Sequence, residues 1–441
     1  MTGPIQVFSQ RDSPALRFVL SFIFDTFYGC GFTFVSEKSA LDVSVPIITY
    51  GKDDGAKLNI TPTGYLFEDD LSQYPPFKII QWKGLPAFFG TGAGNIPFDL
   101  FGAIFFLLSR AEEYQNKTRD HHGRFLASHS TLFDSGLYSR PLVDEWLMAF
   151  LPLIRNHFPG FTPQERSFQW INTLDVDVAY AYHHRGPLRW IGACAKDILN
   201  LNLSNFFRRM AVQFYGAADP FDTYACEAEL SKGYDTKYFF LLGNRSRYDK
   251  NLAHSSTGLR TLISTLASRA EIGIHPSYES NNSSVILEKE IDRLRYILGK
   301  KVGISRQHYL KLSLPHTYRN LINAGIAVDY SMGFTDRPGF RSGTCTPHFF
   351  FDLEKQEATP LKIVPFTIME VTLQDYMGLS AKEAMPVYQS FIDQVKAVNG
   401  TFVSLWHNES LSESGKWKGW REVYTFMANL VHSGARYGEK D

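Results

Sequence analysis

Cysteine is scarce in this chain, and the four that occur, Cys30, Cys194, Cys226 and Cys345, lie far apart with no CxxC or other paired spacing. That excludes a disulfide framework and a thiolate zinc site, and a reducing compartment is the simpler expectation. Net charge is missing as well, because 45 basic residues balance 45 acidic ones. Such a balance argues against broad electrostatic binding to nucleic acid or to an anionic membrane, and a small neutral or locally polar substrate fits better. There is also no long hydrophobic run. The longest apolar stretch, 98–108, contains Asp99 and stops at Arg110-Ala111-Glu112-Glu113, too short and too charged at its ends to span a bilayer. It reads as a buried helix. The amino terminus carries no basic region followed by an apolar core and a small-residue cleavage site, since the apolar run at 18–24 is short and lies between Arg17 and Asp25. The expectation is a cytoplasmic protein. Internal repeats and low-complexity segments are absent.

Aromatics, by contrast, are abundant at 15%, with 36 Phe and 22 Tyr. Most must be core, yet such a chain also has material for the flat faces on which sugars stack. At 441 residues it exceeds the size at which one hydrophobic core usually stops growing, so two domains are expected. Pro and Gly break both regular structures in Phe158-Pro159-Gly160-Phe161-Thr162-Pro163, which places an amino-terminal α/β domain over 1–160 and a second domain over 165–441. In the first, the patterns predict helices at 15–27 and 141–150 and strands at 43–50 and 65–67. Asp120-His121-His122-Gly123-Arg124-Phe125 is polar enough for a ligand loop, but adjacent histidines beside glycine read first as a surface turn.

Beyond the boundary, strand-like runs at 168–174, 238–242, 271–275, 302–305, 327–330, 363–365 and 402–406 alternate with amphipathic stretches such as 259–270, 286–298 and 381–398. Short strands separated by helices imply parallel βαβ units, hence a sheet buried on both faces or a barrel. Functional groups then gather at the carboxyl ends of the strands. The region 186–237 reads as a long, mainly helical excursion able to wall a substrate cleft.

The first of these strands ends in Asn172-Thr173-Leu174-Asp175-Val176-Asp177. In an extended backbone Asp175 and Asp177 project to the same side, one able to hold a cation and the other to take a proton. The plain alternative is a pair of solvated acids closing a strand. Other strand ends repeat the pattern: Ile274-His275-Pro276-Ser277-Tyr278-Glu279, Ser305-Arg306-Gln307-His308-Tyr309, Asp329-Tyr330-Ser331 and Leu405-Trp406-His407-Asn408-Glu409. A lone histidine after a strand is more often a hydrogen-bonded structural residue than a catalyst. Ionisable groups at one strand end after another are harder to explain by packing, because burying unpaired charge is costly. Proline after His275 would fix that ring in direction, as a metal ligand requires.

In this order the pieces Thr173-Leu174-Asp175-Val176-Asp177, Gly273-Ile274-His275-Pro276-Ser277-Tyr278, Arg306-Gln307-His308-Tyr309, Gly339-Phe340-Arg341-Ser342-Gly343-Thr344 and Trp406-His407-Asn408 resemble the polysaccharide deacetylases. These are carbohydrate esterase family four, with the NodB homology domain, and the chain looks most like a bacterial branch in which that domain follows an amino-terminal domain of unknown function. The likeness covers roughly 165–435 and, more loosely, the whole chain. It implies a distorted (β/α)7 barrel, preceded by the smaller α/β domain, that removes N- or O-acetyl groups from a carbohydrate using a divalent cation, usually zinc. It further implies Asp175 as catalytic base, Asp177 as metal-binding carboxylate and His275 as the first histidine of the ligand pair. Arg306 becomes the arginine that orients and charges the base, and His407 the general acid.

The family's second ligand histidine, four residues after His275, is absent, and Glu279 stands there. Glu279 can itself bind zinc, or His308 can swing in as the third ligand. With neither, the metal is weak or missing and the domain is a sugar-binding scaffold. Substrate contacts are expected from Tyr278, Tyr330 and Arg341, with Trp406, Trp417 and Trp420 as a stacking face. Met369 is a candidate for the acetyl pocket and Glu370 for a place beside His407. The expected partner is therefore a carbohydrate, with a non-sugar amide as a third possibility.

Overall fold

The structure is a computed structural model and describes residues 5–52, 57–92 and 94–435; the extreme positions of the two expected domains, 1–4 and 436–441, lie outside it. Short β-branched and aromatic runs in the amino-terminal part, β1 (Ile5–Phe8), β2 (Phe32–Val35), β3 (Ile47–Tyr50) and β4 (Asn59–Ile60), pair in parallel in the order β2-β1-β3-β4. The helix Leu100–Ser109 packs beside them through Tyr50 and Phe101, whose ring centroids are 5.1 Å apart. Every residue of this helix is buried. It is apolar on all sides and so offers no face to water. Asp99 caps its start, accepting Gly102 N–H at 2.9 Å and the Tyr50 hydroxyl at 3.0 Å.

The helix predicted over 15–27 is found as Pro14–Leu20, capped by Ser13, running into the π-helical Ser21–Phe27. The helix predicted at 141–150 extends further, over Leu142–His157. The strand predicted at 65–67 is instead a 3-10 turn, Tyr65–Phe67, entered through Gly64 at φ +95°. That left-handed glycine turns the chain before an extended run can form. A small antiparallel hairpin, β5 (Ile80–Trp82) and β6 (Leu85–Ala87), completes this part.

The remaining strands are β7 (Gln169–Val176), β8 (Asp235–Phe240), β9 (Glu271–Ile274), β10 (Ile304–Ser305), β11 (Val328–Asp329), β12 (His348–Asp352), β13 (Glu357–Ile363), β14 (Ile368–Met369) and β15 (Thr401–His407). They form one nine-stranded sheet in the order β12-β13-β11-β10-β9-β8-β7-β15-β14. Neighbours are parallel apart from the β12–β13 hairpin, which carries the run predicted at 363–365 at its end. Helices Thr257–Leu266, Ser284–Leu298 and Ala381–Ala397 fall where the amphipathic stretches predicted them.

A closed barrel is not found among the described residues, because the sheet ladder is open between its two end strands. The segment between β13 and β14 bridges part of the gap irregularly, with Phe366 N–H on the Met332 carbonyl at 3.0 Å and Thr367 N–H on the Val403 carbonyl at 3.0 Å. Strand parity sorts the side chains. Trp170, Leu174 and Val176 of β7 and Phe402 and Trp406 of β15 join the core beneath the helices. On the other face Phe239, Ile304, Tyr330, Val364, Phe366, Val403 and Leu405 make a separate apolar plug. Asp175 and His407, register partners across β7 and β15, stand at the rim of that plug. No helix among the described residues is long and apolar enough to cross a membrane.

Candidate functional site

The ends of β7, β9, β10 and β15 deliver ionisable groups to one cavity of about 410 Å³, a size suited to a small ligand. Asp177, His275 and His308 each offer a ligand atom there, and these atoms all lie within 4.8 Å of one another. His275 Nδ1 is 2.6 Å from the Arg306 carbonyl oxygen, so that nitrogen donates and Nε2 presents a lone pair. Asp177 Oδ1 lies 3.2 Å from this Nε2, is buried, and accepts no hydrogen bond. His308 is oriented in the same way: its Nδ1 donates to Asp249 at 2.9 Å and its Nε2 faces Asp177 Oδ2 at 3.2 Å. Asp249 is buried and is itself fixed by the Ser246 hydroxyl at 2.7 Å and the Tyr278 N–H at 3.0 Å.

The His275 lone pair and Asp177 Oδ1 at such a distance repel unless a cation lies between them, whereas His308 Nε2 can hold a proton against Asp177 Oδ2 until a cation replaces it; the edge of a tetrahedral zinc shell is about 3.3 Å. The donor set therefore fits a divalent cation, with both imidazoles aimed by acceptors behind them. Burial pulls the His308 pKa down, but Asp177 and Asp249 outweigh it and raise it to about 9. Burial pushes Asp177 up, and His308 with His275 brings it well below the usual carboxylate range. Cation binding near neutral pH would thus release a proton from this cluster. Glu279 stays outside the cluster. It is solvent-exposed just before the 3-10 turn Ser280–Asn282, because the chain turns away after Pro276.

Asp175 lines the cavity beside this cluster, its Oδ2 3.7 Å from His275 Nε2. Arg306, fully buried, holds Asp175 Oδ1 at 3.0 Å and Thr173 Oγ1 at 2.7 Å, while its Nε donates to the Tyr330 carbonyl at 3.0 Å. The guanidinium rests 4.7 Å from the Phe239 ring centroid, so the apolar plug is also the floor that sets its height. Across the cavity, Glu370 Oε1 accepts His407 Nδ1–H at 2.8 Å, the His407 backbone N–H at 2.9 Å and the Ser410 hydroxyl. Burial lowers the His407 pKa, and Glu370, followed by Asp177 and Asp175, raises it to about 10.

Several expected contacts are not at the cavity. Arg341 is buried and forks onto Glu113, with Nε to Oε1 at 2.9 Å and Nη2 to Oε2 at 2.7 Å, so it joins the two parts of the chain rather than meeting solvent. Trp406 is buried on the helix side, stacked with Tyr388 at 5.6 Å, because it is one residue out of phase with His407. Tyr330 lies in the plug beneath Arg306. Tyr278 stands behind the rim, stacked on Tyr248 at 4.2 Å. Trp420 is buried, whereas Trp417 and Met369 do line the cavity. The excursion over 186–237 contributes no lining residue.

Other lining residues carry little signal in the sequence. Tyr248, Tyr309, Tyr376 and Glu409 are among them. Arg124 is another, and it corrects the surface-turn reading of 120–125: the turn is there, yet its arginine is buried at the cavity. Arg124 reaches from the amino-terminal part to the Tyr309 carbonyl at 3.2 Å and the Tyr376 hydroxyl at 2.9 Å, with Asp120 neutralising it.

Residues 5–159 match the model of a family of unknown function, DUF7033. No curated protein sequence matches the chain. Among solved structures, the chain is similar to a protein described as a polysaccharide deacetylase from Mycobacterium smegmatis, at 13% identity and a TM-score of 0.39, covering 63% of this chain and 93% of that one. One described in the same terms from Pseudomonas aeruginosa PAO1 gives 8% identity and a TM-score of 0.39, covering 63% and 90%. A polysaccharide deacetylase from Bacillus cereus gives 12% identity and a TM-score of 0.29, covering 61% and 89%.

Proposed function

We propose that the chain is a divalent-metal-dependent carbohydrate deacetylase, with Asp177, His275 and His308 holding the cation. The observation that carries this reading is the convergence of three differently supported groups on one cavity: the ligand cluster, the Arg306–Asp175 pair and the Glu370–His407 pair. Two imidazoles and one carboxylate with an open side favour zinc. Bound there, the cation would supply Lewis-acid polarisation of the acetyl carbonyl and of the attacking water.

The side chains do the rest. Asp175, aligned by Arg306, takes the proton from the attacking water. His407, kept cationic by Glu370, gives a proton to the departing nitrogen or oxygen of the sugar. Met369, Val371 and Leu310 supply apolar lining for the methyl group, and Tyr248, Tyr309 and Tyr376 offer flat faces for the ring. The curved sheet with its strand-end site supports an incompletely closed (β/α) barrel as the catalytic part, and an amino-terminal domain ending near residue 160 is part of the same reading.

The test is acetate release from a panel of N- and O-acetylated sugars by protein loaded with zinc. Release that is lost in Asp175→Asn and in His407→Ala, and abolished by a chelator, is the expected result. A protein that holds no cation and still binds sugar without releasing acetate refutes the enzyme and leaves a scaffold. Release from small non-sugar amides alone would reassign the substrate.

A further inference from the structure

The chain-wide charge balance hides one uneven segment. Between β7 and β8 the helices Pro187–Leu199 and Leu203–Phe214 stand off the sheet, lining no part of the cavity. Leu188, Ile191 and Leu199 on the first helix, and Leu203, Phe207 and Phe214 on the second, are each more than half exposed. Their spacings place each set on one helix face. Leu201 between the helices and Tyr215 after them are 84% and 82% exposed. Elsewhere among the described residues, exposed large hydrophobics such as Val43, Val285 and Tyr296 are scattered. Exposed apolar side chains concentrated on two paired helices in this way mark an interaction site.

The opposite faces of the helices are properly built. Asp197 pairs with Arg209 at 2.8 Å and accepts Asn205 Nδ2 at 2.8 Å, locking the helices together. Asp219 accepts the backbone N–H groups of Ala181 and Tyr182, each at 2.8 Å, and so anchors the base of the pair. Charge then decides what the outer face meets. Asp197 is the only acid between positions 186 and 218, and it is buried, whereas Arg189, Lys196 and Arg208 are exposed. The two helices thus present apolar faces fringed by cations, with no exposed acid on either helix. Helices of this composition lie in the interfacial plane of an anionic bilayer, apolar side chains in the headgroup boundary and cations on the phosphates.

We propose that the helix pair docks the protein on an anionic lipid surface. It emerges from the strand end that carries Asp175 and Asp177, so docking would hold the cavity close to the membrane. The zero net charge of the chain, which argues against a membrane in bulk, averages over a segment that is locally positive.

The test is flotation of the full chain with phosphatidylcholine vesicles, with and without phosphatidylglycerol. Binding should require phosphatidylglycerol and fall steeply with salt. Arg189→Gln and Lys196→Gln should each weaken it about fivefold. Phe207→Glu combined with Phe214→Glu should abolish it while leaving the melting temperature unchanged. Absence of binding to phosphatidylglycerol vesicles, or binding indifferent to these substitutions, overturns the proposal. Sedimentation in parallel identifies the competing occupant: a dimer dispersed by the Phe207 and Phe214 substitutions, without vesicle binding, would assign the face to a second copy of the chain.

Discussion

Asp249→Asn tests the metal reading without touching a ligand. Asp249 Oδ1 accepts both His308 Nδ1–H, at 2.9 Å, and Tyr278 N–H, at 3.0 Å, while Oδ2 accepts the Ser246 hydroxyl at 2.7 Å. Asparagine can keep His308 and Tyr278 through an oxygen in the Oδ1 place, while its amide faces a Ser246 hydroxyl that already accepts the Tyr248 and Asp249 N–H groups at 3.1 Å, so the Ser246 bond is weakened. What the variant loses is the negative charge behind His308, and charge-assisted bonds are roughly twice as strong as neutral ones. Losing an outer partner of a metal-bound histidine costs about 10–100-fold in affinity, so asparagine should sit near the lower figure and Asp249→Ala near the upper one. In free energy these are about 1.4 and 2.7 kcal/mol. The assay is competition for zinc between the metal-free protein and a fluorescent chelator, with circular dichroism to verify the fold. Affinities of both variants within twofold of the parent would show that His308 is not held as a ligand, and the cluster would lose its third member.

The ligand choice has its own test: His308→Ala should weaken zinc binding more than hundredfold and Glu279→Gln less than twofold, and the reverse order would return Glu279 to the site. With the His407 pKa raised to about 10, the alkaline limb of kcat/KM should fall near that pH. Glu370→Gln should move the limb down by a unit or more, toward the ordinary histidine value, and an unmoved limb would refute the role of Glu370. The same raised pKa contributes stability that is full below about 6.5 and is lost as the pH rises through about 10. Glu113 behaves oppositely: burial pushes it up, but Arg341 and Arg110 bring it from 4.5 down to about 2. Its contribution, on the order of 3 kcal/mol, is present above 4.5 and lost as the pH falls toward 2. Melting temperatures followed across that window should drop in the parent and much less in Glu113→Gln, and identical curves would refute the coupling.

The large sheet was legible because parallel strands buried on both faces read as apolar runs, and the polar residue ending each run marks the carboxyl rim. The polar strand ends, in an order that resembles the polysaccharide deacetylases, are what single out Asp175, Asp177, His275, Arg306 and His407 in the sequence. The third ligand was not decidable from spacing. Glu279 and His308 both follow a strand end by a few residues, and only the turn after Pro276 and the left-handed Tyr309, at φ +60°, determine which one reaches Asp177. Parity, not proximity to His407, decides Trp406: Asp175 and His407 share a rim, so the residue between Leu405 and His407 must face the helices. Arg341, Arg124 and Asp249 were out of reach for a different reason. Their partners are remote in sequence, Glu113 for Arg341, Tyr376 for Arg124 and His308 for Asp249, and no local pattern encodes those distances. The β12–β13 hairpin leaves no clean alternation in the sequence, its pairing being interrupted by a register shift between Phe349 and Phe351.

That hairpin limits how the chain can be divided. Phe351 inserts among Phe18 and Phe105, with centroids 5.2 and 5.0 Å away, and Leu353 follows it into the same amino-terminal core. Removing the first part of the chain would strip cover from both side chains, orphan the Arg341 guanidinium, and take Arg124 from behind Tyr309. A truncated fragment starting after residue 160 would therefore be an open wound rather than a smaller enzyme. Any recombination that trades one half for a foreign equivalent must carry the matching seam on the other half with it.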